Sequence, residues 1–161
     1  MIMRKVVLFI AMSLDGYIAT KEDDISFLQI VEKEGEDYGY ASFVATIDTV
    51  IMGRKTYDKV LTLVPEFPHA DKEAYILTRT PRASVGKTHF YTDSLPTLIQ
   101  KLKAKEGKDI YVDGGAEAVH ALLQDDLIDE IRISIIPILL GDGIPLFVGG
   151  RPTQSLELIP K

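Results

Sequence analysis

Two short stretches carry residues whose types and spacing suit the binding of an anion. In DTVIMGRKTYDKV (48–60) an apolar run ends at Gly53, and Arg54, Lys55 and Thr56 open a helical pattern. In VDGGAEAVHALL (112–123) a strand-like run ends at Gly114 and Gly115, and Ala116, Glu117 and Ala118 begin a helix at once. A helix start offers unpaired N–H groups and the positive end of the helix dipole, and glycines let another molecule approach the backbone there. Read singly, the first stretch is also a helix start with solvated charges, and the second a tight strand–helix turn.

A third stretch, ILTRTP (76–81), sets Arg79 between Thr78 and Thr80 ahead of Pro81. A guanidinium flanked by hydroxyls suits a phosphate ester. Two arginines at neighbouring strand ends, beside a glycine-gated helix start, could hold a ligand with two separate phosphate groups. NADPH is such a ligand, and paired arginines at its adenosine end would favour it over NADH. The dinucleotide signature GxGxxG is absent.

Other polar residues offer less. Asp15, in AMSLDGYIA (11–19), reads as a turn aspartate before glycine at the mouth of the first strand, and Asp37 as an acid at a helix start. His120 lies among Ala and Leu in a helical pattern, and His69 and His89 stand in loop-like surroundings without ligand spacing. Glu22, Asp23 and Asp24 read as a solvated loop. No nucleophile-elbow spacing occurs, and the absence of cysteine excludes disulfides, thiolate metal sites and thiol nucleophiles. A cofactor that brings its own hydride would supply the chemistry these side chains lack.

The elements that must position these residues alternate. Strand candidates are 6–12, 49–52, 74–78, 89–92, 109–113, 130–140 and 156–159, several of them continuous apolar runs suited to strands covered on both faces. Helical patterns fill 36–47, 54–64, 94–107 and 115–126, the third with Ser94 as cap and Pro96 in its first turn. This predicts an α/β fold with a mostly parallel sheet, helices on both faces and an antiparallel C-terminal edge. Ligands of such sheets sit beyond the carboxyl ends of the strands. That rule selects the turns SLDG, GRKT, TRT and GGAE.

The 161 residues fit a single domain, and 46% hydrophobic with 26% charged residues is ordinary for a globular chain. A net charge of −6 argues against nucleic acid or an anionic membrane as partner. Arg4 and Lys5 precede an apolar run, but Asp15-Gly16 interrupts it, so it reads as a buried strand and not a signal peptide. No stretch is long enough to span a bilayer, and a cysteine-free chain fits the cytoplasm.

Taken in order, VIMGRKTYDKV, YILTR, IYVDGGAEAVHALL and DEIRISIIPILLGDGIPLF resemble the dihydrofolate reductase superfamily. The nearer likeness is to the reductase domain of the bifunctional riboflavin-biosynthesis deaminase-reductase. Ala11, Ser13, Leu14, Asp15, Gly16 and Ala19 meet its A-x-S-L-D-G-x-x-A pattern. The resemblance implies a dihydrofolate reductase-like fold, NADPH as hydride donor and a small heterocyclic substrate. It implies cofactor contacts at Gly53, Arg54, Lys55 and Thr56, at Thr78 and Arg79 near the 2′-phosphate, along Gly114, Gly115, Ala116, Glu117 and Ala118, and at Ala11 near the nicotinamide. In that superfamily the glycine pair commonly carries a cis peptide.

The departures bear on substrate. Phe9 stands where the riboflavin reductases usually carry lysine, and their tryptophan-containing stretch is missing. IMGRKTY is nearer to dihydrofolate reductases, whose substrate-anchoring carboxylate falls on Asp37 when counted back without gaps from Gly53-Arg54. Asp15 and Asp37 are therefore the candidate catalytic residues. The family usually completes a last hairpin beyond the point where this sequence ends. No H-x-E or P-C-x-x-C occurs, which excludes deamination. The leading expectation is a riboflavin-type reductase of a ribosylamino-pyrimidine, with a dihydrofolate or pterin reductase as the alternative. A dimeric nucleotide-binding module without turnover is the rival of another class, and ISIIPILL could supply a homodimer interface. A flavodoxin-like protein is disfavoured, since no Ser/Thr-rich phosphate loop follows the first strand.

Overall fold

The structure, a computed structural model, describes residues 3–160. Six strands form one sheet: β1 (Val6–Ser13), β3 (Ile47–Gly53), β4 (Glu73–Leu77), β5 (Thr88–Tyr91), β6 (Asp109–Gly114) and β7 (Glu130–Ile136). Their spatial order is β5-β4-β3-β6-β1-β7, and every pairing is parallel. The apolar runs of β1, β3 and β6 occupy the middle of the sheet, where both faces are covered.

Alternation along these strands sorts their side chains between two layers. Val6, Leu8, Ile51, Ile110 and Val112 pack with α3 (Leu95–Ala104) and α4 (Ala116–Gln124) through Leu98, Leu102, Val119 and Leu122. Val7, Val50 and Tyr111 face the other way onto Phe43 of α1 (Tyr40–Val44), and Met52 and Ile76 meet Tyr57 of α2 (Arg54–Leu63). Helices thus cover both faces, as expected. Ser94 caps α3 by accepting from Thr97 N, and Pro96 lies in its first turn.

Three expectations are corrected. β7 pairs in parallel with β1, because α4 carries the chain back across the sheet before β7 begins. The antiparallel pairing lies elsewhere, between the short β2 (Tyr17–Ala19) and β8 (Ile144–Pro145). Residues 156–159 form no strand: they are exposed and pair with no edge, Leu158 at 92%. Helix 36–47 shrinks to α1, because Gly35 and Gly39 adopt positive φ and Asp37 accepts from Gly39 N and Ala41 N, ordering a turn in place of the first helical turn.

The amino end of the sheet is fastened by Arg4, 5% exposed. Its guanidinium donates to Lys108 O, Leu102 O, Asp48 Oδ1 and Thr49 Oγ1 at 2.6–2.8 Å. A cleft of about 860 Å³ opens there, lined by Asp48, Glu73 and His89 among others. It lies opposite the strand ends that carry the glycine turns.

Candidate nucleotide and substrate site

Register brings the expected turns together. Gly53 pairs with Leu77 and Met52 with Gly114, so β3, β4 and β6 end side by side. A Cβ added to Gly115 would fall 2.8 Å from Thr56 Oγ1, and one added to Gly53 would lie 3.7 Å from Gly115 N. The two glycine turns therefore abut, with Thr56 occupying the space beside Gly115. Gly114 has φ +123°, which favours glycine, and the Gly114–Gly115 peptide is cis. Lys55 Nζ reaches Glu117 Oε1 at 3.5 Å, linking the first turns of α2 and α4. Neither helix has a side-chain cap. Their first N–H groups remain free to meet an anion, unlike those of α3.

The third turn lies beside Gly53. Thr78 Oγ1 accepts from Thr80 N at 3.1 Å, and Arg79 is exposed without an ion pair among the described residues. Arg54 Nη1 lies 3.2 Å from Asp58 Oδ2, one turn along α2. Arg82, which sequence reasoning passed over, donates to both oxygens of Asp58 at 3.0 and 3.1 Å. Arg82, and then Arg54, hold the Asp58 carboxyl below the usual aspartate range.

At the end of β1, Ala11 lies in register with Ser134, and Ile10 Cδ1 comes within 4.0 Å of where a Gly114 side chain would begin. Asp15 is spent on a clamp. Its carboxylate accepts from Ser13 Oγ, Leu140 N and Gly141 N, and these donors, led by the hydroxyl, lower its pKa. The clamp joins the SLDG and LLGDG stretches, and Leu146 N donates to Gly16 O at 2.9 Å beside it. Asp37 is exposed, and its carboxylate serves the backbone of the α1 entry, which lowers its pKa.

The half-buried carboxylate beside the glycine turn is Asp113, which sequence reasoning left inside a strand. Its oxygens accept from Tyr111 OH at 3.1 Å and pair with His69 Nε2 at 3.2 Å. His69 is 4% exposed, and its Nδ1 is buried without a partner. Burial, and then Asp113, push the Tyr111 hydroxyl far up, and the same two causes raise that of Tyr40. On this side of the sheet Phe9 stacks on Phe43 with ring centres 4.5 Å apart, and Tyr40 meets Phe9 edge-on at 6.1 Å. The result is an aromatic wall with one carboxylate. An acid directly before the glycine pair was the available signal for Asp113, whereas no spacing announces His69. His120 is structural, with Nε2 2.8 Å from Leu146 O. Among the described residues no cluster of His, Cys, Asp or Glu could hold a metal, and no helix is long and apolar enough to cross a membrane.

Two uncapped helix starts at touching glycine turns suit the phosphates of a dinucleotide. Comparison with known proteins bears on family and fold. The family model of the RibD C-terminal domain matches residues 4–161. The chain is 44% identical over 145 residues to YwjB of Bacillus subtilis (strain 168), an uncharacterized protein, covering 89% of this chain and 83% of YwjB. A Shewanella sp. PV-4 protein, provisionally described as a riboflavin biosynthesis protein, superposes with TM-score 0.86 at 34% identity, covering 97% of this chain and 90% of its own. The dihydrofolate reductase of Enterococcus faecalis, complexed with NADP(H) and RAB-propyl, gives TM-score 0.63 at 15% identity over 89% and 77% of the two chains. The fold is dihydrofolate reductase-like.

Proposed function

The chain belongs to the family of the RibD C-terminal domain, and from that footing we propose that it is an NADPH-dependent reductase of a nitrogen heterocycle of the ribosylamino-pyrimidine type. The observation that carries this reading is the contact of the two glycine turns between two uncapped helix starts. Gly53 to Thr56 and Gly114 to Ala118 would hold the phosphates, Arg54 and Thr78 would face the adenosine end, and Ala11 would lie near the nicotinamide. When bound, NADPH supplies the hydride.

On the substrate side the chain's own groups orient the heterocycle. Phe9 and Tyr40 offer flat apolar surface for stacking, with buried Phe43 backing Phe9. Asp113 has lone pairs left over after Tyr111 and His69, and it would accept from ring or amino N–H groups. Asp37 is committed to the α1 entry, which supports the pyrimidine type over a pterin anchored at that residue.

Two steps test the reading. NADPH and NADH are titrated separately by fluorescence. NADPH oxidation is then followed with a ribosylamino-pyrimidine and with dihydrofolate. Tight NADPH binding with oxidation driven by the pyrimidine is expected. Oxidation with dihydrofolate alone would favour the pterin alternative, and binding without oxidation the module without turnover. Binding of neither nucleotide would overturn the proposal.

A further inference from the structure

The NADPH reading leaves open which cations meet the phosphate that distinguishes NADPH from NADH. Arg79 sits in the motif-matched position, yet it is exposed and has no ion pair among the described residues. A long side chain held by nothing must be ordered by the ligand at an entropic cost.

Arg82, three residues on, already has partners. Its fork grips Asp58 through Nη1 at 3.0 Å and Nη2 at 3.1 Å, and its Cζ lies 5.2 Å from the centre of the Phe90 ring. Phe90 packs edge-on against Tyr57 of α2, with centroids 5.5 Å apart. Asp58 also receives Arg54 Nη1 at 3.2 Å, and Arg54 directly follows Gly53 of the first glycine turn. The carboxylate thus holds two guanidinium groups near each other before any ligand arrives, offsetting their mutual repulsion.

The trio keeps a net positive charge. A guanidinium has five N–H donors, and Asp58 engages two from Arg82 and one from Arg54, so both retain donors for an anion. In NAD-binding enzymes an acidic residue at the adenosine ribose commonly accepts from its 2′-hydroxyl. Here guanidinium groups cover both oxygens of Asp58, Oδ1 by Arg82 and Oδ2 by Arg82 and Arg54. The carboxylate is therefore poorly placed to reward a free 2′-hydroxyl.

Resting on the cofactor reading above, we propose that Arg82, held by Asp58 beside Arg54, binds the phosphomonoester at the adenosine end of the cofactor, and that Arg82, not Arg79, decides NADPH over NADH. This adds a specificity residue outside the motif stretches.

The test is equilibrium binding, independent of turnover. The unaltered protein, Arg82→Ala, Arg82→Lys and Arg79→Ala are titrated with NADPH and NADH, and NADPH is then displaced with adenosine 2′,5′-bisphosphate. Arg82→Ala is expected to weaken NADPH roughly tenfold or more, the scale of one charge-assisted hydrogen bond, with NADH changed by less than about twofold. Arg82→Lys should fall between, since an ammonium keeps the charge but not the fork. Arg79→Ala should stay within about threefold for both nucleotides, as an exposed cation without a fixed partner supplies only screened attraction. The Asp58 pair is open to water and contributes little to stability, so the variants should melt as the unaltered protein does. Preference for NADPH that survives in Arg82→Ala, or disappears in Arg79→Ala, overturns the inference while leaving the cofactor reading intact. Binding of neither nucleotide to the unaltered protein overturns both.

Discussion

His69 and Asp113 stand 44 residues apart in sequence and face each other at 3.2 Å between Nε2 and Oδ2. The contact ties the connection between α2 and β4 to the end of β6, directly before the glycine turn. Tyr111, 4% exposed, reaches the same carboxylate from within the strand. Asp113 is thus held by two buried groups while 27% of its own side chain remains open.

On the proposed function, that arrangement would make His69 a positioning residue for the substrate. Loss of a hydrogen bond to a charged group lowers binding by roughly tenfold. His69→Ala should therefore raise the KM for the heterocycle by about that factor, with NADPH affinity unchanged. His69→Gln retains a donor and should recover most of the loss. Equal losses in Ala and Gln, or a fall in NADPH affinity, would count against the positioning role.

The two candidate anchors for a heterocycle, Asp37 and Asp113, can be told apart by their amides. Asparagine caps a turn about as well as aspartate. Asp37→Asn should accordingly keep both stability and turnover, while Asp37→Ala loosens the α1 entry. Asp113→Asn, by contrast, should lose most heterocycle binding, because the charge is removed from the aromatic wall. Turnover lost in Asp37→Asn with unaltered melting would return the anchor role to Asp37.

The close approach of the glycine turns can be probed by filling it. Gly115 has φ −79°, so alanine is tolerable to its backbone, and the obstacle is Thr56 Oγ1 at 2.8 Å. Gly115→Ala should destabilise by about 1–3 kcal/mol, the usual range for overpacking, and abolish nucleotide binding. Thr56→Ala in the same chain should restore much of the stability, measured by urea unfolding as a double-mutant cycle. Strict additivity of the two changes would mean that they do not meet.

Asp15 gives the clamp a pH dependence. Its pKa is lowered, so the folded state binds that proton less tightly than the unfolded state does. The stabilisation is fully present above the ordinary aspartate value, below about pH 4 it declines, and it is lost as pH falls through the folded value. Unfolding of the unaltered protein and of Asp15→Asn should differ at neutral pH and converge in acid. A gap that persists unchanged into acid would assign the clamp to something other than the charge.

The features legible in the sequence are those set by local pattern. Continuous apolar runs marked β1, β3, β4 and β6, and glycines at their ends marked the turns that converge at Gly53 and Gly115. Parallel pairing of β7 was missed because register depends on where α4 returns the chain, which no local pattern states. Over 36–47 the spacing of Tyr40, Phe43, Val44 and Ile47 is helical, while Gly39 and the Asp37 turn shorten the helix itself. The polar partners were the least legible. His69 with Asp113, and Arg82 with Asp58, are pairs between distant segments, visible only once the strands lie in register. Asp15 is legible as a turn aspartate before glycine, but its commitment to Leu140 and Gly141 depends on a loop 125 and 126 residues away.

Arg4 gives the molecule a fixed pivot. One guanidinium rivets the starts of β1 and β3, the end of α3 and the approach to β6, all at the end farthest from the glycine turns. Opening motions of the sheet should then resemble a fan closed at its base, with amplitude growing toward the glycine turns. Amide exchange should run slowest at 49–51 and 110–112 and fastest at 53–57 and 114–118, and NADPH should slow only the latter. Arg4→Met should erase that gradient, speeding the base toward the rate of the rim.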